Sequence, residues 1–298
     1  MKKNREINRK KEIKNKKKKS RKSLLPIILM FIIGLGIMSY PFFSDFYNQM
    51  QYKEINRTFD KEAKKIDKSE IERRIRLAEY YNDSIVNPHI SDPFTRKNHE
   101  KGIKEYARML QIKESMGYVE IPKIRKSIPI YAGTNEDVLK MGVGHMEFTS
   151  LPIGGIGTHC VLTAHSGIPE VVLFDNLHKM KKGDVFFVHN IKEVLAYEVD
   201  HIEVIPPTNF EPLKIQEGRD YCTLLTCTPR MINSHRLIVR GERTDYKKAS
   251  KKVEKNKLIK YIIIILIILL IVTSAYFIRK KIKNRKQKTE IKKETEKI

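Results

Sequence analysis

Tyr221-Cys222-Thr223-Leu224-Leu225-Thr226-Cys227-Thr228-Pro229, followed by Ser234-His235-Arg236-Leu237-Ile238-Val239-Arg240-Gly241, reads as a β-strand ending in a cysteine, a loop opened by Thr228-Pro229, and a second strand whose first polar side chain is an arginine. Successive strand residues point to opposite faces. Thr223, Leu225 and Cys227 therefore share one face, and Cys222, Leu224 and Thr226 the other. Cys227 also stands at the strand's end, beside a proline that cannot continue a ladder. A thiol at a strand terminus is open to a substrate, whereas one in mid-strand is more often a small buried hydrophobe.

Upstream, Gly117-Tyr118-Val119-Glu120-Ile121-Pro122, Ile128-Pro129-Ile130-Tyr131 and Gly142-Val143-Gly144-His145 are short β-type runs separated by turns. Further runs follow at 159–164, 184–189, 193–205, 220–227 and 235–241. This many short strands with Gly and Pro punctuation predicts a mainly β, closed or nearly closed barrel. Within it, Thr158-His159-Cys160-Val161-Leu162-Thr163-Ala164-His165-Ser166-Gly167 puts Val161, Thr163 and His165 on one face, with His165 at the end of the strand. A cysteine nucleophile needs a nearby imidazole to exchange protons with the thiol and the leaving amine. His165 has the position for that. His145 and His159 read as packing or supporting groups, and His235 faces away from Arg236. Arg236 offers a permanent charge and a fixed fork of donors suited to an oxyanion; Arg240, farther along the same face, is the weaker choice.

The run Thr223 to Pro229, with Asn233 to Gly241 and Thr-Ala-His-Ser-Gly at 163–167, resembles the active-site signature of the sortases, cysteine transpeptidases of Gram-positive surfaces, and most of all their class C, the pilus-assembling branch. The resemblance implies an eight-stranded sortase barrel over 116–243, with Cys227 as nucleophile, His165 as proton donor and Arg236 as the oxyanion or substrate-backbone contact. It also gives a meaning to Asn87-Pro88-His89-Ile90-Ser91-Asp92-Pro93-Phe94, where two prolines deny helix and strand. In class C sortases an Asp-Pro-aromatic lid stands here. Carried over, Asp92 pairs with Arg236 and Phe94 covers Cys227, with Pro93 between them, in a lid loop over 88–97. One departure stands out: after Thr228-Pro229 the family often has an aromatic, where this chain has Arg230.

The formal net charge of +24 is of the kind that points to nucleic acid in a soluble protein. Its distribution excludes that. Residues 1–22 hold 13 basic and 2 acidic side chains, residues 246–298 hold 17 and 4, and residues 23–245 balance at 29 against 29. A neutral central domain is no phosphate-backbone binder. The basic tails flank apolar stretches at 24–43 and 261–278, each about long enough for the ~20 residues that cross a bilayer. The positive-inside rule then puts both termini in the cytoplasm and the central domain outside, in a two-pass cell-membrane protein. Ser39-Tyr40-Pro41 is a poor cleavage site, so the first segment reads as an uncleaved anchor.

The expected organisation is a basic tail at 1–22, a transmembrane helix at 24–43, and a helical region with the lid loop at 44–115. The catalytic barrel at 116–243, a basic stalk at 244–260, a second transmembrane helix at 261–278 and a basic tail at 279–298 follow. Apolar spacing of three or four over 45–83 predicts amphipathic helices, and a further helix is expected over 98–113. Three cysteines do not make a disulfide framework, and no dense carboxylate loop asks for a metal; no cofactor is expected.

The reaction implied is acyl transfer from a Leu-Pro-X-Thr-Gly-like (LPXTG-like) sorting signal, through a thioacyl enzyme, to a lysine amine of a pilin subunit. A housekeeping sortase would use the same three residues with a cell-wall precursor amine as acceptor. A non-catalytic extracellular scaffold is the third reading, and it leaves Cys227, His165 and Arg236 together without explanation.

Overall fold

The structure is a computed structural model that describes residues 2–85, 108–168 and 171–295. Eight strands form the core of the fold: β1 (Ser115–Ile121), β2 (Lys126–Ala132), β3 (Val143–His145), β4 (Thr158–Thr163), β5 (Val185–His189), β6 (Val194–Ile205), β7 (Asp220–Thr228) and β8 (His235–Thr244). They close into a barrel in the order β1-β2-β3-β4-β7-β8-β6-β5. Every strand run expected from the sequence is present. The limits differ where charge hides a strand: β2 starts at Lys126, a buried lysine paired with Asp45, two residues before the apolar pattern begins.

Most neighbours are antiparallel, but β2–β3 and β4–β7 are parallel. The β4–β7 ladder places Thr163 opposite Leu225 and Cys160 opposite Cys222. The antiparallel β7–β8 ladder places Cys227 opposite Arg236. Alternation sorts the side chains of these strands into two apolar clusters. Cys160, Leu162, Cys222, Leu224, Leu237 and Val239 belong to the main core. Val161, Leu225 and Ile238 point the other way, into a second cluster with Met146, Ile205, Phe210 and Leu213. Both faces of β4, β7 and β8 are thus covered, and burying each such Leu or Ile stabilises by roughly 1.5–3 kcal/mol.

Two helices precede the barrel. α1 (Lys2–Ala63) is continuous through the first apolar stretch, and α2 (Lys68–Ser84) starts at Asp67, whose side chain accepts from Ser69 N at 2.7 Å. The later part of α1 lies on β1 and β2: Tyr52 and Phe59 are buried, Asn56 donates to Ser127 Oγ at 2.9 Å, and Asp60 accepts from the Tyr118 hydroxyl at 3.0 Å. Asn82 of α2 accepts from Leu151 N at 2.7 Å. A short helix, α3 (Glu136–Met141), is capped by Asn135 accepting from Val138 N at 2.9 Å.

The helix expected over 98–113 lies partly outside the described residues. Its described end is a turn at 108–110, followed by a single bridge from Ile112 to Ser115 and a left-handed Lys113 at φ 56°. Leu110 and Ile112 are buried, so their apolar character reflects packing rather than helix periodicity. The expected lid residues Asp92, Pro93 and Phe94 lie outside the described residues.

Residues 244–298 form a separate unit. It contains α4 (Tyr246–Thr295), in which the lysine-rich stalk and the second apolar stretch are one unbroken helix. Among the described residues, one helix, Pro26–Ala63, is long and apolar enough to cross a membrane; its most apolar window has a mean hydropathy of 2.1 and none of it is buried in the protein.

Candidate active site

His165 follows β4 by two residues, and Cys227 lies two residues beyond Leu225, the partner of Thr163. His165 and Cys227 thus each lie two residues past the last β4–β7 pair, at the same end of the barrel. The register past Thr163 is held by Ala164 N donating to Leu225 O at 3.2 Å and by the Thr226 hydroxyl donating to Ala164 O at 2.7 Å. Arg236 faces Cys227 from the other side, as its direct partner in the ladder. The segment just past β4, the end of β7 and the start of β8 therefore carry imidazole, thiol and guanidinium at the same end of the sheet.

The thiol expected to be open at its strand's end is more enclosed than that. β7 continues through Thr228, and Cys227 is 6% exposed, against 2% for Cys160 and 0% for Cys222. Pairing with β8 up to Thr228–His235 covers the strand end. All three cysteines are free thiols. Cys160 and Cys222 face each other across β4 and β7, and burial pushes the Cys222 thiol well above its usual ionisation range.

Arg236 is 4% exposed, and its Nη1 donates to Asn233 O at 2.9 Å and His235 O at 3.0 Å. These carbonyls aim the guanidinium from the short loop between β7 and β8. Arg240 is used differently: it donates to both carboxylate oxygens of Asp200, at 2.5 to 3.2 Å, and lies 4.1 Å over the Tyr221 ring. His235 is exposed and meets Ser234 Oγ at 2.9 Å.

His165 is held below the usual histidine pKa chiefly by burial, with Glu136 opposing and Lys140 adding to the shift. It is therefore largely neutral at pH 7 and able to take up a proton. Glu136, in the first turn of α3, stands 3.7 Å from His165 Nε2. Sequence reading missed this neighbour; the Asn135 cap followed by two acidic residues marks a helix start but not what the helix start faces.

His145 and His159 are structural, as expected. His159 Nδ1 donates to Lys214 O at 3.0 Å, and its Nε2 accepts from the Thr223 hydroxyl at 2.8 Å. Burial lowers its pKa from 6.5 to about 4. At His145 burial also lowers the pKa, but hydrogen bonds to Cys160 and to Ser150 O reverse the net shift upward. The His159 sign is definite: below pH 6.5 the unfolded chain takes up a proton that the folded chain refuses until about pH 4. Its contribution to stability is complete above pH 6.5 and is lost as the pH falls through that window, by about 3 kcal/mol in all. In His159→Gln the difference in stability from the parent chain should shrink by about that amount between pH 7 and pH 4. Thermal or urea unfolding at both pH values checks this, and a pH-independent difference would remove the assignment.

No group of His, Cys, Asp and Glu side chains arranged for a metal ion occurs among the described residues.

A family model for the sortase domain matches residues 119–244, nearly the whole barrel. Among solved structures, the chain is similar to sortase C-1 of Streptococcus pneumoniae, with 55% identity over 65% of this chain and 99% of that one and a TM-score of 0.63. It is likewise similar to a structure described as pilus-related sortase C of group B Streptococcus, with 53% identity, 67% and 98% coverage, and a TM-score of 0.60. Sortase A of Bacillus anthracis is 24% identical over 221 residues, which are 72% of this chain and 91% of that protein.

Proposed function

Because the chain belongs to the sortase family of cysteine transpeptidases, and to its class C, we propose that it cleaves LPXTG-like sorting signals and joins the released acyl group to a lysine amine of a pilin subunit. The observation that carries this reading is the register: Cys227 opposite Arg236, and His165 two residues past the pairing of Thr163 with Leu225. The pilin substrate rests on the likeness to pilus-related sortase C.

In this reading neutral His165 takes the proton of the Cys227 thiol, and the thiolate attacks the Thr carbonyl of the signal. The Thr–Gly C–N bond breaks, and the departing amine takes a proton from His165, leaving a thioester on Cys227. A lysine amine then attacks the thioester and gives a proton to His165. The isopeptide bond forms as the thiolate leaves and recovers its proton from His165, so no external oxidant, reductant or cofactor enters the balance. Arg236 stabilises the oxyanion of both tetrahedral intermediates. Asp92 and Phe94, with Pro93, close the site between turnovers as a lid.

The helix over Pro26–Ala63 anchors the enzyme, and the apolar stretch 261–278 of α4 supplies a second crossing that returns the chain to the cytoplasm. The barrel, 116–243, is then outside, linked by the basic stalk. A substrate held in the same bilayer meets the enzyme at high effective concentration.

The test uses the full chain in detergent with a Leu-Pro-X-Thr-Gly peptide and a lysine-bearing acceptor peptide. Intact mass should show an acyl adduct that maps to Cys227, and the acceptor should gain an isopeptide-linked product. Absence of both, across several sorting-signal peptides, would overturn the reading.

A further inference from the structure

Two loops leave the barrel at the end where Cys227 sits. The β4–β5 loop begins at Ala164 and carries His165, and the β7–β8 loop runs from Pro229 to Ser234, between Cys227 and Arg236. We propose that Arg230 is a positioning residue for acyl transfer, which ties these loops together through Asp175. The inference rests on the roles given above to Cys227, His165 and Arg236.

The Asp175 carboxylate is 3% exposed. Its Oδ1 accepts from Gly167 N at 3.0 Å and its Oδ2 from Leu173 N at 3.1 Å, so it folds the β4–β5 loop around itself. A buried carboxylate needs a counter-charge as well as donors. Arg230 reaches in from the other loop, with Nη2 3.0 Å from Oδ1. The loops are in direct contact here. Gly167 has φ +86°, and a Cβ on it would stand 2.9 Å from Arg230 Cγ and 3.0 Å from Met231 N.

The tie reaches the reacting groups on both sides through main-chain bonds. Next to Asp175, Phe174 N donates to His165 O at 3.1 Å, which fixes the backbone that carries the imidazole. On the other side, Ile232 N and Asn233 N both bond to Pro229 O, at 3.1 and 2.9 Å, so the β7–β8 loop is compact. Asn233 O in turn accepts from Arg236 Nη1 at 2.9 Å. One ion pair thus stands between the backbone of His165 and the carbonyl that aims Arg236. Displacing either loop moves the proton donor relative to the oxyanion contact. The position is also where the sequence departs from the family's usual aromatic, so this chain fastens the loops with a charge pair.

The experiment compares the full chain with Arg230→Ala and Arg230→Lys, none of which removes a group that touches substrate. Single-turnover acylation by the sorting-signal peptide is measured beside amide hydrogen exchange of the segments 164–168 and 229–234. In Arg230→Ala, acylation should slow about tenfold, since small misplacements of reacting groups are costly. The loss should fall on the acylation rate constant rather than on peptide affinity, and exchange should quicken in both segments. Arg230→Lys, whose ammonium can reach the same carboxylate, should recover most of both. Acylation at the parent rate in Arg230→Ala, unchanged exchange in either segment, or no recovery with lysine would overturn the proposal. If exchange responds but the parent chain itself forms no adduct on Cys227, the fault lies in the reading of the active site, and the positioning role falls with it.

Discussion

Cys227→Ala is expected to form no acyl adduct and no isopeptide product, with turnover lowered by a factor on the order of 10⁴ or more, as for removal of a nucleophile elsewhere. The loss is chemical and not structural. Cys227 is enclosed, but it lies at the end of β7, where deleting one sulfur atom should cost roughly 1 kcal/mol, the scale of an ordinary point mutation. The thermal midpoint should therefore hardly move. The informative controls are the other thiols. Cys160 and Cys222 belong to the main core and face each other across β4 and β7, so Cys222→Ala should lower stability and leave the adduct on Cys227 intact. Intact mass with peptide mapping, beside a melting curve for each variant, separates the cases. An adduct on Cys160 or Cys222, or turnover surviving in Cys227→Ala, would remove Cys227 from its role.

Arg236→Lys should keep the charge and still lower the acylation rate constant by about 10²–10³, the range seen when one oxyanion donor is lost. Arg236 is almost fully buried and uses Nη1 to hold Asn233 O and His235 O. Its planar fork can bond those carbonyls and present further N–H groups toward Cys227, its ladder partner. A lysine ammonium is a point charge on a flexible stem and cannot hold both geometries. Arg240→Lys is the matched control: Arg240 bonds Asp200 and lies over Tyr221, so that variant should lose stability and keep acylation. Single-turnover kinetics on both variants decide the matter. A loss of less than threefold in Arg236→Lys would make Arg236 a structural arginine.

The barrel was legible because strands write themselves with period two, and because Gly, Pro and Asp break the runs between them. Residues 220–227 and 235–241 could be faced from the sequence, and the structure pairs them as antiparallel neighbours. What alternation cannot supply is the strand order. The parallel contact of β4 with β7 joins segments distant in the chain, and it is this contact that brings His165 beside Cys227. Pair partners are hidden for the same reason. Arg240 with Asp200, His165 with Glu136 and Arg230 with Asp175 are contacts between elements, whereas hydrophobic patterning reports only which face is buried. The enclosure of Cys227 was missed because the proline after Thr228 ends the ladder one residue later than the cysteine.

The same strand order governs when the candidate site is assembled. His165 belongs to the middle of the barrel sequence, Cys227 and Arg236 to its last two strands, and β8 is paired on both of its edges. A chain synthesised from its N-terminus presents His165 long before Cys227, and Cys227 before Arg236. Closing such distant contacts carries an entropic cost that is repaid only once both partners are present. Until β8 has docked, Cys227 stands on an unpaired edge of β7 with no Arg236 opposite it. Docking of β8 is thus the step that completes the candidate site.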